Sequence, residues 1–170
     1  AASDVYKRQF PNRETRRLAP GPSSMIAKAV IEEFAPRFLG RPAVVVLSES
    51  RAKVAARDDD LARSIGLRIP ADRLLPDVLL VDLQPREPVL VFGELVDTSG
   101  AMTPDRKKGF MDIAAAAGFK ARRVAFVTAY RDRSDRAFRA TVAELPWNSF
   151  AWFCCEPDHI LVLREVEGEQ

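Results

Sequence analysis

The 170-residue sequence holds one histidine, His159, and only two cysteines, the neighbours Cys154 and Cys155. That supply excludes zinc sites of the CxxC or HExxH kind and a disulfide scaffold, because the ligands and bridge partners do not exist. Long apolar runs are also lacking: Asp77 to Leu83 (DVLLVDL) falls well short of the roughly 18 to 20 residues that a membrane span requires. There is no P-loop, no GxGxxG fingerprint and no nucleophile elbow, which disfavours the common nucleotide-binding and hydrolase chemistries. Charge of one sign is missing as well: 26 Lys and Arg stand against 24 Asp and Glu, so the total of +2 names no polyanionic partner. With few thiols and no span, the sequence reads as soluble, reduced and cytoplasmic, with no membrane partner.

What is present is enough for one core. Hydrophobic residues make up 47% and charged residues 29%, in a length suited to a single domain. Residues 1–9 (AASDVYKRQ) show no apolar periodicity. Within them DVYKRQ resembles the translation of a transposon mosaic end used in sequencing libraries, so this stretch is expected to be a scar. Residues 10–22 (FPNRETRRLAPGP) are polar and rich in Pro, the composition of a linker, and residues 23–170 form the domain.

Hydrophobic patterning orders that domain. Ser23 or Ser24 caps a helix carrying Met25, Ile26, Ala29, Val30 and Phe34 on one face, and Pro36 disfavours helix at Ala35. Ala43 to Leu47 is a β-branched strand, and Arg51 to Gly66 a charged helix ending at a glycine. Asp77 to Leu83 and Val89 to Val96 are strands joined by QPREP, which suits a hairpin. Thr103 caps a helix with Pro104 in its first turn that runs to Gly118. Arg123 to Ala129 is a strand, Ser134 to Leu145 a helix, and Ser149 to Cys155 and His159 to Glu165 two final strands. The order implies an α/β fold, a mixed sheet flanked by helices.

The hairpin carries the most informative geometry. With its turn centred between Pro85 and Arg86, residues whose numbers sum to 171 face each other, which brings Asp77 opposite Glu94. Like charges placed so are destabilising unless a cation lies between them, and Mg²⁺ is the natural candidate for a pair of carboxylates. Pro76-Asp77, sixteen residues, then Glu94-Leu95-Val96 is a partial PD-(D/E)XK nuclease signature. Its third position, usually Lys, holds Val96. Residues two apart in a strand share a face, so another cation must serve.

The segments PNRETRRLAPGP, IEEFAPRF, LLPDVLLVD, GELVDTSGAMTPDRKKGF, VAFVTAYRDR and PDHILV, in this order and spacing, resemble the catalytic domain of the BsuBI/PstI type II restriction endonucleases. The resemblance implies a restriction-endonuclease-like core and Mg²⁺-dependent cleavage of double-stranded DNA at a palindrome of the CTGCAG type. It further implies a homodimer, a cognate DNA methyltransferase in the same restriction-modification system, and an N-terminal helical domain upstream of the catalytic one. It makes Asp77 and Glu94 the metal-binding pair, with Asp77 as the bridging carboxylate. Asp97 to Ala101 is where the sequence diverges most from that pattern.

For the missing cation the choice is Lys107 or Lys108, at the start of the helix after the Glu94 strand, with Lys107 preferred; helix N-termini also offer donors to phosphate. Glu33 is the candidate third carboxylate, set against its reading as part of a wet helix face. Phosphate contact needs basic density, and residues 103–140 hold ten Lys or Arg against four Asp, a net of six positive charges. Arg106, Lys108, Arg131 and Arg133 are the DNA-contact candidates in that window, and Arg can read guanine edges. Trp147 and Trp152 are read as core, Cys154 and Cys155 as a buried strand pair, and His159 as structural. The competing function is a non-cleaving DNA-binding or assembly fragment that retains the nuclease fold.

Overall fold

A computed structural model of the chain describes residues 6–9, 15–18, 22–49, 52–69, 74–98 and 100–168. Strands β1 (Tyr6–Gln9) and β2 (Thr15–Leu18) pair antiparallel, so the stretch expected to be a linker carries a strand whose partner lies in the expected scar. The remaining strands form one mixed sheet. In chain order they are β3 (Pro42–Glu49), β4 (Ala52–Arg57), β5 (Val78–Asp82), β6 (Val89–Val96), β7 (Val124–Tyr130), β8 (Ser149–Phe153) and β9 (Ile160–Leu163). Their order across the sheet is β4-β3-β5-β6-β7-β8-β9, with β6, β7 and β8 parallel to one another and every other pairing antiparallel.

Helices cover both faces. The first covering segment is continuous but not uniform: α1 (Pro22–Ala29), a π-helical turn (Val30–Phe34) and α2 (Ala35–Phe38). Pro36 was expected to end this helix and instead sits in the first turn of α2. In a plain α-helix a proline removes the bond to the carbonyl four residues back and its ring clashes there. Here the preceding turn widens, the Ala35 N–H bonding the Val30 carbonyl, and the chain continues. Ile26, Val30, Ile31 and Phe34 bury against Val44, Leu80, Val91, Val127 and Trp152, whereas Met25 points to solvent. On the opposite face α3 (Asp59–Ser64) and α4 (Pro104–Ala116) bury Ala62, Phe110 and Ala114 against Leu79, Val81, Leu90, Phe92 and Phe126. The alternation along β5 and β6 sends successive side chains to the two cores.

Two further differences from expectation concern local order. The helix expected over Arg51 to Gly66 is strand β4 followed by the short α3, because pairing with β3 supplies the backbone of 52–57 with partners that a weakly amphipathic helix would not. Asp58 starts α3 by accepting the Leu61 N–H at 2.9 Å. The helix expected over Ser134 to Leu145 is α5 (Arg136–Thr141) with a 3₁₀ turn at Val142–Glu144. The helix after Thr103 begins as its cap implies, the Thr103 hydroxyl accepting the Arg106 N–H, and it stops before Gly118, whose φ of +87° favours glycine. Among the described residues no helix is long and apolar enough to cross a membrane.

Candidate active site

The hairpin register brings the two carboxylates together. Val78 pairs with Gly93, Leu79 with Phe92 and Leu80 with Val91, so the next position in register opposes Asp77 to Glu94. Packing on the opposite face of the sheet requires the glycine that precedes Glu94: a Cβ at Gly93 would lie 2.5 Å from Val78 Cγ1, a distance that packed atoms do not tolerate. The backbone then locks the pair. The Asp77 N–H faces Glu94 Oε2 at 3.4 Å, and the Leu95 N–H donates to Asp77 Oδ2 at 2.8 Å. Asp77 is half-buried, whereas Glu94 is 2% exposed.

The strand alternation that sends Leu79, Leu90 and Phe92 toward α4 also sends Asp77 and Glu94 to that face, at the end where α4 begins. Arg106, in the first turn of α4, donates from Nε to Glu94 Oε1 and from Nη2 to the Leu75 carbonyl at 3.0 Å, with Phe110 beneath its guanidinium at 5.1 Å. Burial pushes the Glu94 carboxyl from its ordinary 4.5 up to about 8; the Asp77 charge adds to the rise, and Arg106 opposes it. Asp82, at the other end of β5, contrasts with it. Burial would raise its carboxyl, yet the N–H groups of Gly40, Arg41 and Gln84 at 2.9–3.0 Å hold it below its usual range, a structural use of an acid.

The donor set suits a hydrated divalent cation. Two neighbouring carboxylates, when both are ionised, demand more positive charge than one guanidinium bound to a single oxygen supplies, a deficit that a proton on Glu94 or a bound cation makes up. A dehydrated all-protein cage is a worse match: among the described residues no group of three or more His, Cys, Asp or Glu side chains could hold a metal ion. Glu33 therefore does not join Asp77 and Glu94. It pairs instead with Arg37, one turn along its own segment, and Arg37 also bonds Asp158 at 2.7 Å.

The remaining candidates divide between the start of α4 and the loop after β7. Lys107, preferred from sequence as the cation, turns away to the Trp147 carbonyl at 2.8 Å and over the Phe126 ring. Arg106, read from sequence as a DNA contact, is the side chain that reaches Glu94. Successive helix residues point about 100° apart, so a shift of one position changes the face served. The absence of Lys at position 96 was the signal that a cation had to come from elsewhere; Val96 itself is buried with Ala101 and Tyr130. Lys108 is exposed and lines a cleft with Met111, Leu145 and Trp147. Arg131 pairs with Asp135, and Arg133 with Glu156.

Three readings away from the carboxylates also sort out. Trp152 is fully buried, as expected, but Trp147 is 64% exposed, because it lies in the turn before β8 and not on the strand. Cys154 is half-buried and Cys155 exposed: both follow β8 in a turn and do not form a buried strand pair. His159 is exposed, its N–H bonding the Glu156 carbonyl at 3.1 Å.

Comparison with known proteins gives the geometry its context. The family model described as "BsuBI/PstI restriction endonuclease domain" matches residues 6–166. The type II restriction enzyme BsuBI of Bacillus subtilis is 26% identical over 149 residues, which cover 88% of this chain and 45% of that protein. The chain thus spans about half the length of this curated relative. The solved structure of SdaI restriction endonuclease superposes with a TM-score of 0.82 at 23% identity, over 95% of this chain and 49% of the other, a likeness of fold.

Proposed function

The chain belongs to the BsuBI/PstI restriction endonuclease domain family, and from that premise we propose that it is the catalytic unit of a Mg²⁺-dependent type II deoxyribonuclease hydrolysing phosphodiester bonds at a CTGCAG-like palindrome. The observation that carries the reading is the opposition of Asp77, immediately before β5, and Glu94 on β6, with Arg106 bound to Glu94.

In this reading Asp77 and Glu94 hold the metal. A bound Mg²⁺ supplies positive charge to a phosphoryl oxygen and makes a coordinated water more acidic. The chain's own groups set the stage for it. The Leu95 N–H orients Asp77, and the hairpin keeps the two carboxylates in register. Arg106 holds one Glu94 oxygen and brings a fixed positive charge to the edge of the site. Being partly exposed, it also has donors on Nη1 that make neither of its bonds to Glu94 and Leu75. A guanidinium so placed stabilises charge gathering on a phosphate, the task that Lys usually has in this motif. Arg131, Arg133 and Lys108 are the candidate phosphate or base contacts, and two copies of the chain acting together match a palindromic target.

The test is cleavage by the protein of duplexes that contain or lack CTGCAG, with Mg²⁺ or EDTA, beside Asp77→Ala. The reading expects metal-dependent cutting that depends on the site and is lost in the variant. Metal-independent cutting, or an unaffected variant, overturns it. Binding of duplex without cleavage under every condition selects the non-cleaving DNA-binding fragment instead.

A further inference from the structure

Arg131 and Arg133 leave the end of β7 at 59% and 63% side-chain exposure, yet each is engaged by a carboxylate. Arg131 Nε and Nη2 both reach Asp135 Oδ2, at 3.0 and 2.9 Å. Arg133 Nε and Nη2 take one oxygen each of Glu156, both at 3.0 Å. This two-pronged arrangement is the one that a guanidinium also makes with a phosphate.

The partners are presented by ordered turns. The Cys154 and Cys155 N–H groups bond the Tyr130 and Arg131 carbonyls at 2.9 and 3.0 Å, and the Glu156 N–H bonds the Phe153 carbonyl at 3.1 Å. On the other side, Asp132 Oδ1 accepts the Ser134 N–H and hydroxyl at 2.8 and 2.9 Å and turns the chain between the two arginines. These loops leave the same end of the parallel strands as Glu94. Glu94 pairs with Thr128 and Val96 with Tyr130, and the Asp97 charge lies near enough to act on Arg131. The pairs are exposed, so they are readily exchanged in water.

We propose that Glu156 is a specificity-determining residue, an inference resting on the nuclease reading above: it masks Arg133 from the phosphates of DNA that is not seated in the site. Asp135 does the same for Arg131. A loosely bound duplex must exchange a carboxylate for a phosphate and gains little, because an arginine already neutralised within the protein adds little to counterion release. A duplex seated in register adds contacts elsewhere that favour the exchange. Glu156 thereby weakens non-specific binding more than specific binding.

The experiment measures binding of a labelled duplex lacking CTGCAG, in EDTA, across a salt series, for the wild type, Glu156→Gln, Arg133→Ala and the double variant. Glu156→Gln is expected to steepen the slope of log affinity against log salt by about 0.9, one phosphate contact. It should also tighten low-salt binding several-fold, and in the Arg133→Ala background it should do neither. Asp135→Asn, acting on Arg131, carries the same expectation where the Glu156 turn is disturbed. An unaltered slope in both variants overturns the proposal, as does an equal gain in the Arg133→Ala background, which would mark simple loss of a negative charge. A folded wild type that binds no duplex overturns the nuclease reading and this inference with it, whereas wild-type binding with unaltered slopes sinks the masking alone.

Discussion

Asp77 and Glu94 repel once both are ionised and are held together by backbone: the Asp77 N–H faces Glu94 Oε2 at 3.4 Å, while the N–H of Leu95, the next residue, donates to Asp77 Oδ2 at 2.8 Å. Replacing Asp77 by Asn keeps an oxygen for the Leu95 N–H and removes the like-charge contact. The variant is expected to fold with an unchanged or higher melting temperature in EDTA, yet to lose the melting-temperature rise on adding Mg²⁺ and to cut at a rate down by roughly 10²-fold or more. A variant that melts lower but still responds to Mg²⁺ would assign Asp77 a purely structural role.

The raised Glu94 carboxyl makes the metal-free protein sensitive to pH. Its ordinary value is 4.5 and the folded value about 8, so the folded state binds the proton more tightly than the unfolded one. Stability from this group is full below about 4.5 and is lost as pH rises through about 8. Urea unfolding in EDTA should therefore show a decline over that window that Glu94→Gln flattens. Mg²⁺, which requires the ionised pair, should stabilise the wild type more at pH 8.5 than at pH 6.

Arg106 neutralises a side chain that has almost no access to water. Arg106→Ala leaves Glu94 either charged and unpaired or protonated. It is expected to destabilise the protein by about 3 kcal/mol at alkaline pH and by less near pH 6, where the carboxyl takes up a proton. Arg106→Lys should restore part of the stability but not all, because a point charge cannot reproduce the planar fork shared by Glu94 and the Leu75 carbonyl. Denaturation midpoints of the three proteins at the two pH values decide this. An Arg106→Ala loss that does not vary with pH would break the link to Glu94.

Gly93 sits beside the site for a steric reason. Gly93→Ala places a methyl 2.5 Å from Val78 Cγ1 and should cost about 1–3 kcal/mol through overpacking. Combining it with Val78→Ala opens space for that methyl, so the double variant should lose less than the two single losses added together. Additive losses in urea unfolding would place the strain elsewhere.

How much of this was legible in the sequence differs from residue to residue. The register of Asp77 against Glu94 was readable because a short hairpin with two prolines in its loop leaves few ways to pair its strands, and a period of two sends both carboxylates to one face. The helix beginning at Thr103 was readable because its cap and its Pro104 act on adjacent backbone. These are local relations, determined within a dozen or two residues of chain.

The cation was not local in that sense. Arg106, Lys107 and Lys108 are interchangeable as letters; the rotation of α4 on the sheet turned Arg106 to Glu94 and Lys107 to the Trp147 carbonyl. The strand at 52–57 likewise depends on the open edge of β3, and the exposure of Trp147 on its place in a turn, neither of which leaves a periodic trace. Sequence alone determined the two carboxylates, their shared face and the family pattern, because alternation and turn chemistry act over short range. Only the tertiary structure decided which positive charges meet which negative ones, because side chains far apart in the chain become partners once packing has set the rotation of each helix.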